Sequence, residues 1–123
     1  MIPFERSDRV SGLIQKVLSE MLRKDIKDPR LNTATITGVE VSRDLKLARI
    51  YFTTSSGEQN KDEAVKGFNS ARRFIKRILA YELALKYMPD IKFIYDESIE
   101  YGAHIDSLIQ LARDTNGKDP SSH

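Results

Sequence analysis

Apolar residues recur at intervals of three and four positions near the start of the chain, which is the spacing of one face of an α-helix. They are Val10, Leu13, Ile14, Val17, Leu18, Met21 and Leu22. Ser7 precedes this stripe and is predicted to cap the helix, because its hydroxyl can accept a hydrogen bond from a free N–H group of the first turn. The opposite side mixes both signs of charge, which is typical of a solvated surface.

The helical spacing of apolar residues ends at Lys27–Arg30, where Pro29 breaks the helix. Residues 33–42 are rich in β-branched side chains, which favour a strand. Alternation changes parity between Ile36 and Val39, so we predict a β-bulge near Gly38 that returns the apolar residues to one face. Residues 47–54 alternate again after a polar turn at 43–46. The two strands are predicted to form an antiparallel hairpin.

The longest helical pattern runs from Asn69 to Pro89 and is preceded by a helical stretch that begins near Asp62. At 100° per residue, Ala64, Val65 and Phe68 point on average some tens of degrees away from the apolar stripe that starts at Ala71. This change of phase predicts a kink or a break between Gly67 and Ala71. Pro89 is predicted to end the helix, because proline has no backbone N–H group.

The last third of the chain predicts one more strand and one more helix. Ile91, Phe93 and Tyr95 alternate with more polar residues, as in a half-buried strand. A short C-terminal helix is predicted from an apolar stripe formed by Ile105, Leu108, Ile109 and Ala112. We expect one domain over residues 1–113, because 123 residues supply one modest core, and a disordered tail over residues 114–123, which have little to bury.

Positive charge is segregated along the chain. Residues 1–89 hold 17 Lys/Arg and 11 Asp/Glu, whereas residues 90–123 hold 3 and 7. The densest positive run, on the polar side of the long helix, is formed by Arg72, Arg73, Lys76 and Arg77. No acidic residue of this helix stands three or four positions from any of them, so their mutual repulsion favours a polyanionic partner. We predict that they bind RNA phosphates, joined by Lys86, Arg6, Arg9, Arg30 and Arg43.

Catalytic and metal-binding motifs are scarce. The chain has no cysteine and two histidines, and its glycines form neither a phosphate loop nor a dinucleotide-binding fingerprint. A small metal-dependent nuclease or phosphatase using Asp96, Glu97 or His104 is the remote alternative. A general binder of single-stranded RNA is the nearer one, and Tyr81 and Tyr87 would be its aromatic platforms. We expect no cofactor and no metal.

The predicted order of helix, strand, strand, helix, helix and strand is that of an α+β, type II KH-like domain. The Gly-x-x-Gly loop with which KH domains clamp nucleotides is absent. The chain resembles the ribosome-binding factor A family from Arg6 to about Leu111. The similarity is carried by Arg9-Val10, Lys27 to Leu31, Ile36 to Leu45, Ala71 to Lys76, and Met88 to Gly102.

This resemblance implies a cytoplasmic, monomeric RNA-binding protein of ribosome biogenesis. Its implied partners are the immature small ribosomal subunit, the ribosomal RNA of that subunit and neighbouring ribosomal proteins. The implied role is late maturation and processing of precursor rRNA ends, without catalysis. No stretch of the chain approaches the roughly 20 apolar residues that a membrane span needs, so we expect no membrane. One departure concerns the kink, where the family usually has Ala-x-Gly and this chain has Ala71, Arg72 and Arg73. Arginine lacks the backbone freedom of glycine, so the geometry of the kink is in question here.

Overall fold

A computed structural model of the protein describes residues 6–98 and 108–113. Its first helix, α1 (Arg6–Lys24), forms where the apolar stripe predicts it, and Val10, Ile14, Leu18 and Met21 are buried. Ser7 lies inside this helix, so the predicted cap is wrong. Ser7 is buried, and its carbonyl accepts a 2.7 Å hydrogen bond from the Ser11 hydroxyl. The Ser11 hydroxyl in turn accepts a 3.0 Å bond from the N–H of Val41, which ties α1 to the sheet.

Strands β1 (Ala34–Val41) and β2 (Leu47–Thr54) form the predicted antiparallel hairpin. The register shifts between Ile36 and Gly38, which confirms the predicted bulge. Ile36 pairs with Phe52 before the shift, and Val39 pairs with Ile50 after it. Apolar residues on both sides of the bulge therefore reach the same core.

Helix α2 (Lys61–Leu83) is one uninterrupted helix of 23 residues, so a break at the predicted kink is wrong. A bend at Ala71–Arg73 within the continuous helix stays a prediction. The five buried residues, Ala64, Gly67, Phe68, Ile75 and Leu79, fall within about 120° of the helix circumference. The change of phase read from the sequence came from residues that are only half-buried at the flanks of this stripe, such as Val65 and Phe74.

Gly67 has a packing role in α2. The short 3₁₀ turn Pro29–Leu31 lies directly against it. A Cβ atom on Gly67 would lie 3.0 Å from Leu31 Cγ and 3.2 Å from Arg30 Cβ, which is closer than side chains normally pack. Glycine at this position therefore brings the turn, with Arg30, up to the surface of α2.

The C-terminal end of α2 lies six residues before the proline that was predicted to stop it. Ala84 adopts the left-handed conformation, with φ of 51°, and the N–H of Leu85 donates a 3.2 Å hydrogen bond to the carbonyl of Ala80. These contacts satisfy carbonyls of the last turn and reverse the chain. Leu85 and Lys86 therefore belong to the loop that leads to β3, and their predicted places on the helix are wrong.

Strand β3 (Asp90–Tyr95) pairs parallel to β2, which gives the sheet order β1-β2-β3 and leaves β3 at an edge. Its alternating residues Ile91, Phe93 and Tyr95 are buried, as predicted. Phe68 of α2 stacks on Phe93 at 4.6 Å between ring centroids and tilts against Phe52 at 4.9 Å. The two helices and one face of the sheet thus enclose a single core.

The predicted C-terminal helix is represented by residues 108–113, which are helical. Leu108 and Ile109 are about half exposed, so this part of the predicted stripe is not buried in the core. Ile105 and the predicted tail at 114–123 lie outside the described residues. None of the described helices combines the length and the apolar character that a membrane crossing requires.

Candidate nucleic-acid interface

The four cations predicted on α2 differ in their surroundings, and Arg72 is the most engaged. Its guanidinium donates hydrogen bonds to the carbonyl of Ile91 and, at 2.8 Å, to Asn69 Oδ1. Its Cζ atom lies 5.6 Å from the centroid of the Phe93 ring. Arg72 therefore binds α2 to strand β3.

The carbonyl that Arg72 contacts lies on the free edge of the sheet. The N–H groups of Asp90 and Asp96 donate toward β2, to the carbonyls of Lys46 and Phe52 at 2.9 and 2.7 Å. Because successive backbone groups of a strand point to opposite sides, Ile91 points its carbonyl away from β2. Arg72 thus satisfies an edge acceptor that no strand of the described residues pairs with.

Asp90 supplies the anion that the sequence of α2 lacks. Its Oδ1 atom lies 3.5 Å from Lys76 Nζ and 3.7 Å from Arg72 Nη1. The N–H of Ile91 and the ammonium of Lys76 lower the pKa of Asp90 below its ordinary value. The premise that the run has no acidic partner is therefore wrong for Arg72 and Lys76, because a carboxylate of β3 lies beside both, and their contact with RNA stays a prediction.

Arg73 and Arg77 remain available to bind an external anion. Both side chains are exposed, and they stand one turn apart on the same side of α2. Arg77 has its guanidinium 5.5 Å from the ring of Phe74, and neither arginine has a carboxylate partner within the described parts of the chain. Two positive charges about 6 Å apart along a helix axis can each contact a phosphate of one nucleic-acid strand.

Arg30 lies beside the same helix. Its guanidinium makes a forked contact with Asp28, at 2.7 Å from Nη2 to Oδ2 and 3.0 Å from Nε to Oδ1, and its Nη2 lies 3.4 Å from Ser70 Oγ. This fork lowers the pKa of Asp28 and raises the pKa of Arg30. Arg30, which was predicted to bind phosphate, thus forms an ion pair with Asp28. It still lies at the surface of α2.

Two of the other predicted cations line a second location. Arg6 and Lys86 line a groove of about 450 Å³ between the start of α1, the β1–β2 turn and the α2–β3 loop. Lys46 lies on the same groove and was not among the predicted residues. Arg9 on α1 and Arg43 in the turn are exposed on two of the segments that form it. Of the nine predicted RNA-binding residues, five therefore lie on α2 or beside it and two line this groove, while Arg9 and Arg43 lie on neighbouring segments outside its lining.

The carboxylates of the remote nuclease alternative have structural partners. Asp96 Oδ2 accepts a 2.6 Å hydrogen bond from the Thr37 hydroxyl, and Asp96 Oδ1 accepts a 2.9 Å bond from the N–H of Ser98. These hydrogen bonds lower the pKa of Asp96. Glu97 lies 3.9 Å from Lys61. Among residues 6–98 and 108–113 no three His, Cys, Asp or Glu side chains converge on one point, and His104 lies outside those ranges.

Sequence reasoning missed Asp90 and Lys46, which decide the electrostatics of the two locations. Asp90 is 14 residues from Lys76 and beyond the end of the helix, so helical spacing could not pair them. The register of β3 beside β2 places Asp90 opposite Leu47, next to the turn that carries Lys46. Only the pairing of the strands brings these residues to their sites.

A three-stranded sheet of this order, covered on one face by two helices and bearing exposed arginines, defines a KH-like α+β domain without a Gly-x-x-Gly loop. The family model described as ribosome-binding factor A matches residues 6–109. The chain therefore belongs to the ribosome-binding factor A family.

Relatives and solved structures agree with this assignment. The chain is 51% identical over 110 residues to a protein named ribosome-binding factor A from Desulfosudis oleivorans, covering 89% of this chain and 85% of that protein. The solution structure of a ribosome-binding factor A homologue from Thermotoga maritima superposes with a TM-score of 0.64 at 29% identity, covering 76% and 90% of the two chains. A homology model of the Thermus thermophilus factor, fitted into a cryo-EM map of a 30S complex with that factor, shares the fold with a TM-score of 0.53 at 23% identity, covering 69% and 93% of the two chains.

Proposed function

We propose that this protein binds the immature small ribosomal subunit through its ribosomal RNA and assists late maturation. The observation that carries the proposal is the exposed pair Arg73 and Arg77, which has no carboxylate partner in the described residues. Membership of the ribosome-binding factor A family and the 30S complex of the Thermus thermophilus factor support the choice of partner.

The mode of action that we propose is positioning. Arg73 and Arg77 bind two successive phosphates of one RNA conformation, and Arg30 borders the same surface of α2. A protein that binds one RNA conformation more tightly than another shifts the population toward the first by that difference in affinity. Processing enzymes then meet the precursor rRNA ends in the favoured conformation, and the protein itself needs no catalytic group. Such contacts carry little sequence information, so the RNA is recognised by its shape.

The test is co-sedimentation with immature small subunits over a series of salt concentrations. We expect Arg73→Glu with Arg77→Glu to weaken binding on the order of 100-fold at about 0.1 M salt, because two attractive contacts become repulsive. The matched control is Lys16→Glu with Lys24→Glu, which reverses two exposed charges on α1. Equal binding by wild type, test variant and control would contradict the proposal.

A second candidate function, general binding of single-stranded RNA, is favoured by two exposed aromatic rings. Tyr81 and Tyr87 are 82% and 78% exposed, and exposed rings stack on unpaired bases without regard to sequence. Competition decides between the two candidates. If unstructured oligonucleotides displace the protein from small subunits at equal nucleotide concentration, it is a general binder, and if they do not, recognition of the subunit prevails.

A further inference from the structure

The groove that brings Arg6, Lys46 and Lys86 together has a mixed lining. Val10 and Pro89 are buried, and Leu45 and Leu85 are half-buried, so its floor is apolar. The three cations are exposed at the rim. A volume of about 450 Å³ falls within the range of small-ligand sites, roughly 300–1,000 Å³. An apolar floor beneath a positive rim suits a ligand with a planar apolar part and a negative part.

Two backbone features build the groove. Leu45 takes a positive φ of 61°, which turns its side chain toward the core while Lys46 stays exposed. Ala84 takes the left-handed conformation that reverses the chain after α2 and delivers Leu85 and Tyr87 to the opposite wall. The N–H of Asp90 donates a 2.9 Å hydrogen bond to the carbonyl of Lys46 and so holds the two walls together.

Charge selects an anion for this groove. The acid in the lining, Asp44, accepts hydrogen bonds from the Ser42 hydroxyl at 2.6 Å and from the N–H of Lys46 at 3.0 Å. These bonds direct one oxygen of its carboxylate into the turn. Among the described residues that line the groove, three cations and one carboxylate leave an excess of positive charge at the rim.

The aromatic ring of Tyr87 favours an anion that carries a planar group. Tyr87 lines the groove and is 78% exposed, and the ammonium of Lys86 lies 5.5 Å from the ring centroid. A cation beside an exposed ring is the arrangement that binds a stacked base together with its phosphate. A free phosphate would leave the ring and the apolar floor uncovered, and an acidic peptide has no planar group to stack.

We propose that this groove binds one unpaired nucleotide of RNA, with its base against Tyr87 and the apolar floor and its phosphate between Lys46, Lys86 and Arg6. The site rests on the proposed function for its partner, RNA. It lies just beyond the end of α2, and Arg77 is six residues, or about 9 Å along the helix axis, before that end. The proposal includes one strand of RNA that runs from Arg73 and Arg77 into the groove.

The experiment measures binding of the full chain to a fluorescent hexamer of uridine and to a matched hexamer without bases. We expect wild type to bind the hexamer with bases roughly tenfold more tightly, because stacking contributes to the affinity of each bound base. Tyr87→Ala should abolish this difference and leave the abasic hexamer unaffected. Tyr81→Ala, which removes an equally exposed ring outside the groove lining, is the control and should retain the difference.

Three results would overturn the proposal: equal effects of Tyr87→Ala and Tyr81→Ala, equal wild-type affinity for both hexamers, or displacement of the RNA by a hexamer of glutamate at the same concentration. The first removes the ring from the site, the second reduces the site to a phosphate contact, and the third assigns it to an acidic peptide. Thermal melting verifies that each variant is folded. Unchanged subunit binding by Arg73→Glu with Arg77→Glu, together with a base preference lost in Tyr87→Ala, would contradict only the proposed role of α2.

Discussion

A six-residue segment of α2 carries two pairs of cations that have different surroundings. Arg72 and Lys76 contact Asp90, and Arg72 also reaches the Ile91 carbonyl and the Phe93 ring. Arg73 and Arg77 are exposed and have no carboxylate partner in the described residues. All four look alike as a run of positive charge. Their difference comes from the strand beside them.

This comparison shows that the density of positive charge along the sequence overestimates the number of cations that are available to bind phosphate. A quarter of a turn of helix separates Arg72, which is two-thirds shielded, from its exposed neighbour Arg73. A side chain that already satisfies a carbonyl and a carboxylate loses those contacts if it turns to RNA. The unpaired cation can bind phosphate without that loss, so it contributes more to binding.

The largest effect on stability is expected at Arg72. Arg72→Ala removes two hydrogen bonds, an ion pair and a ring contact, so we expect the free energy of unfolding to fall by about 1–3 kcal/mol. Arg73→Ala, one residue away, should change it by less than about 0.5 kcal/mol. Urea denaturation of both variants measures the difference. Equal losses would erase the distinction between the two pairs.

The second effect concerns the salt dependence of RNA binding. The slope of log affinity against log salt concentration should become shallower by about 0.7–0.9 in Arg73→Ala, because one phosphate contact releases that fraction of a counterion. Arg72→Ala should retain the wild-type slope at a temperature at which it is folded. Filter binding of a ribosomal RNA fragment provides both slopes. A reduced slope in Arg72→Ala would show that the paired cations also bind RNA.

The smallest effect is expected from the carboxylate that pairs two of the cations. The Ile91 N–H and Lys76 lower the pKa of Asp90 below its ordinary value of 3.8, so the folded state binds this proton less tightly than the unfolded chain does. Its stabilising contribution is present above that ordinary value and is lost as the pH falls through the lowered pKa. Asp90→Asn should therefore melt slightly below wild type at pH 7 and together with it at strongly acidic pH. A melting difference that is independent of pH would assign the effect to something other than this charge.

Local patterns predicted most of the fold for a physical reason. The stripe of α1, the alternation of β2 and β3 and the bulge beside Gly38 each follow from which side chains must be buried, which is a property of neighbouring residues. The predicted break in α2 failed because half-buried residues were weighted like buried ones. The predicted helix end at Pro89 failed because a left-handed Ala84 leaves no mark in the sequence that a glycine would leave.

The candidate site was predicted in its composition and not in its arrangement. Charge alone predicted Arg73, Arg77, Arg6 and Lys86 as RNA-binding residues, and that role stays a prediction. The sequence could not predict which cations pair with an acid, which are exposed and which line the groove. Asp90 and Lys46 come close to the other residues only through strand pairing.

By itself, the sequence determined the elements, the bulge and the family, because burial patterns and short motifs are local and survive without coordinates. The tertiary structure alone decided which cations of α2 lie beside a carboxylate. A charge is neutralised by whatever lies within a few ångströms of it, and that neighbour is set by the packing of α2 on β3. Gly67, where the sequence predicted the start of a kink or a break, is a contact point for Leu31 and Arg30, which tertiary packing brings against α2.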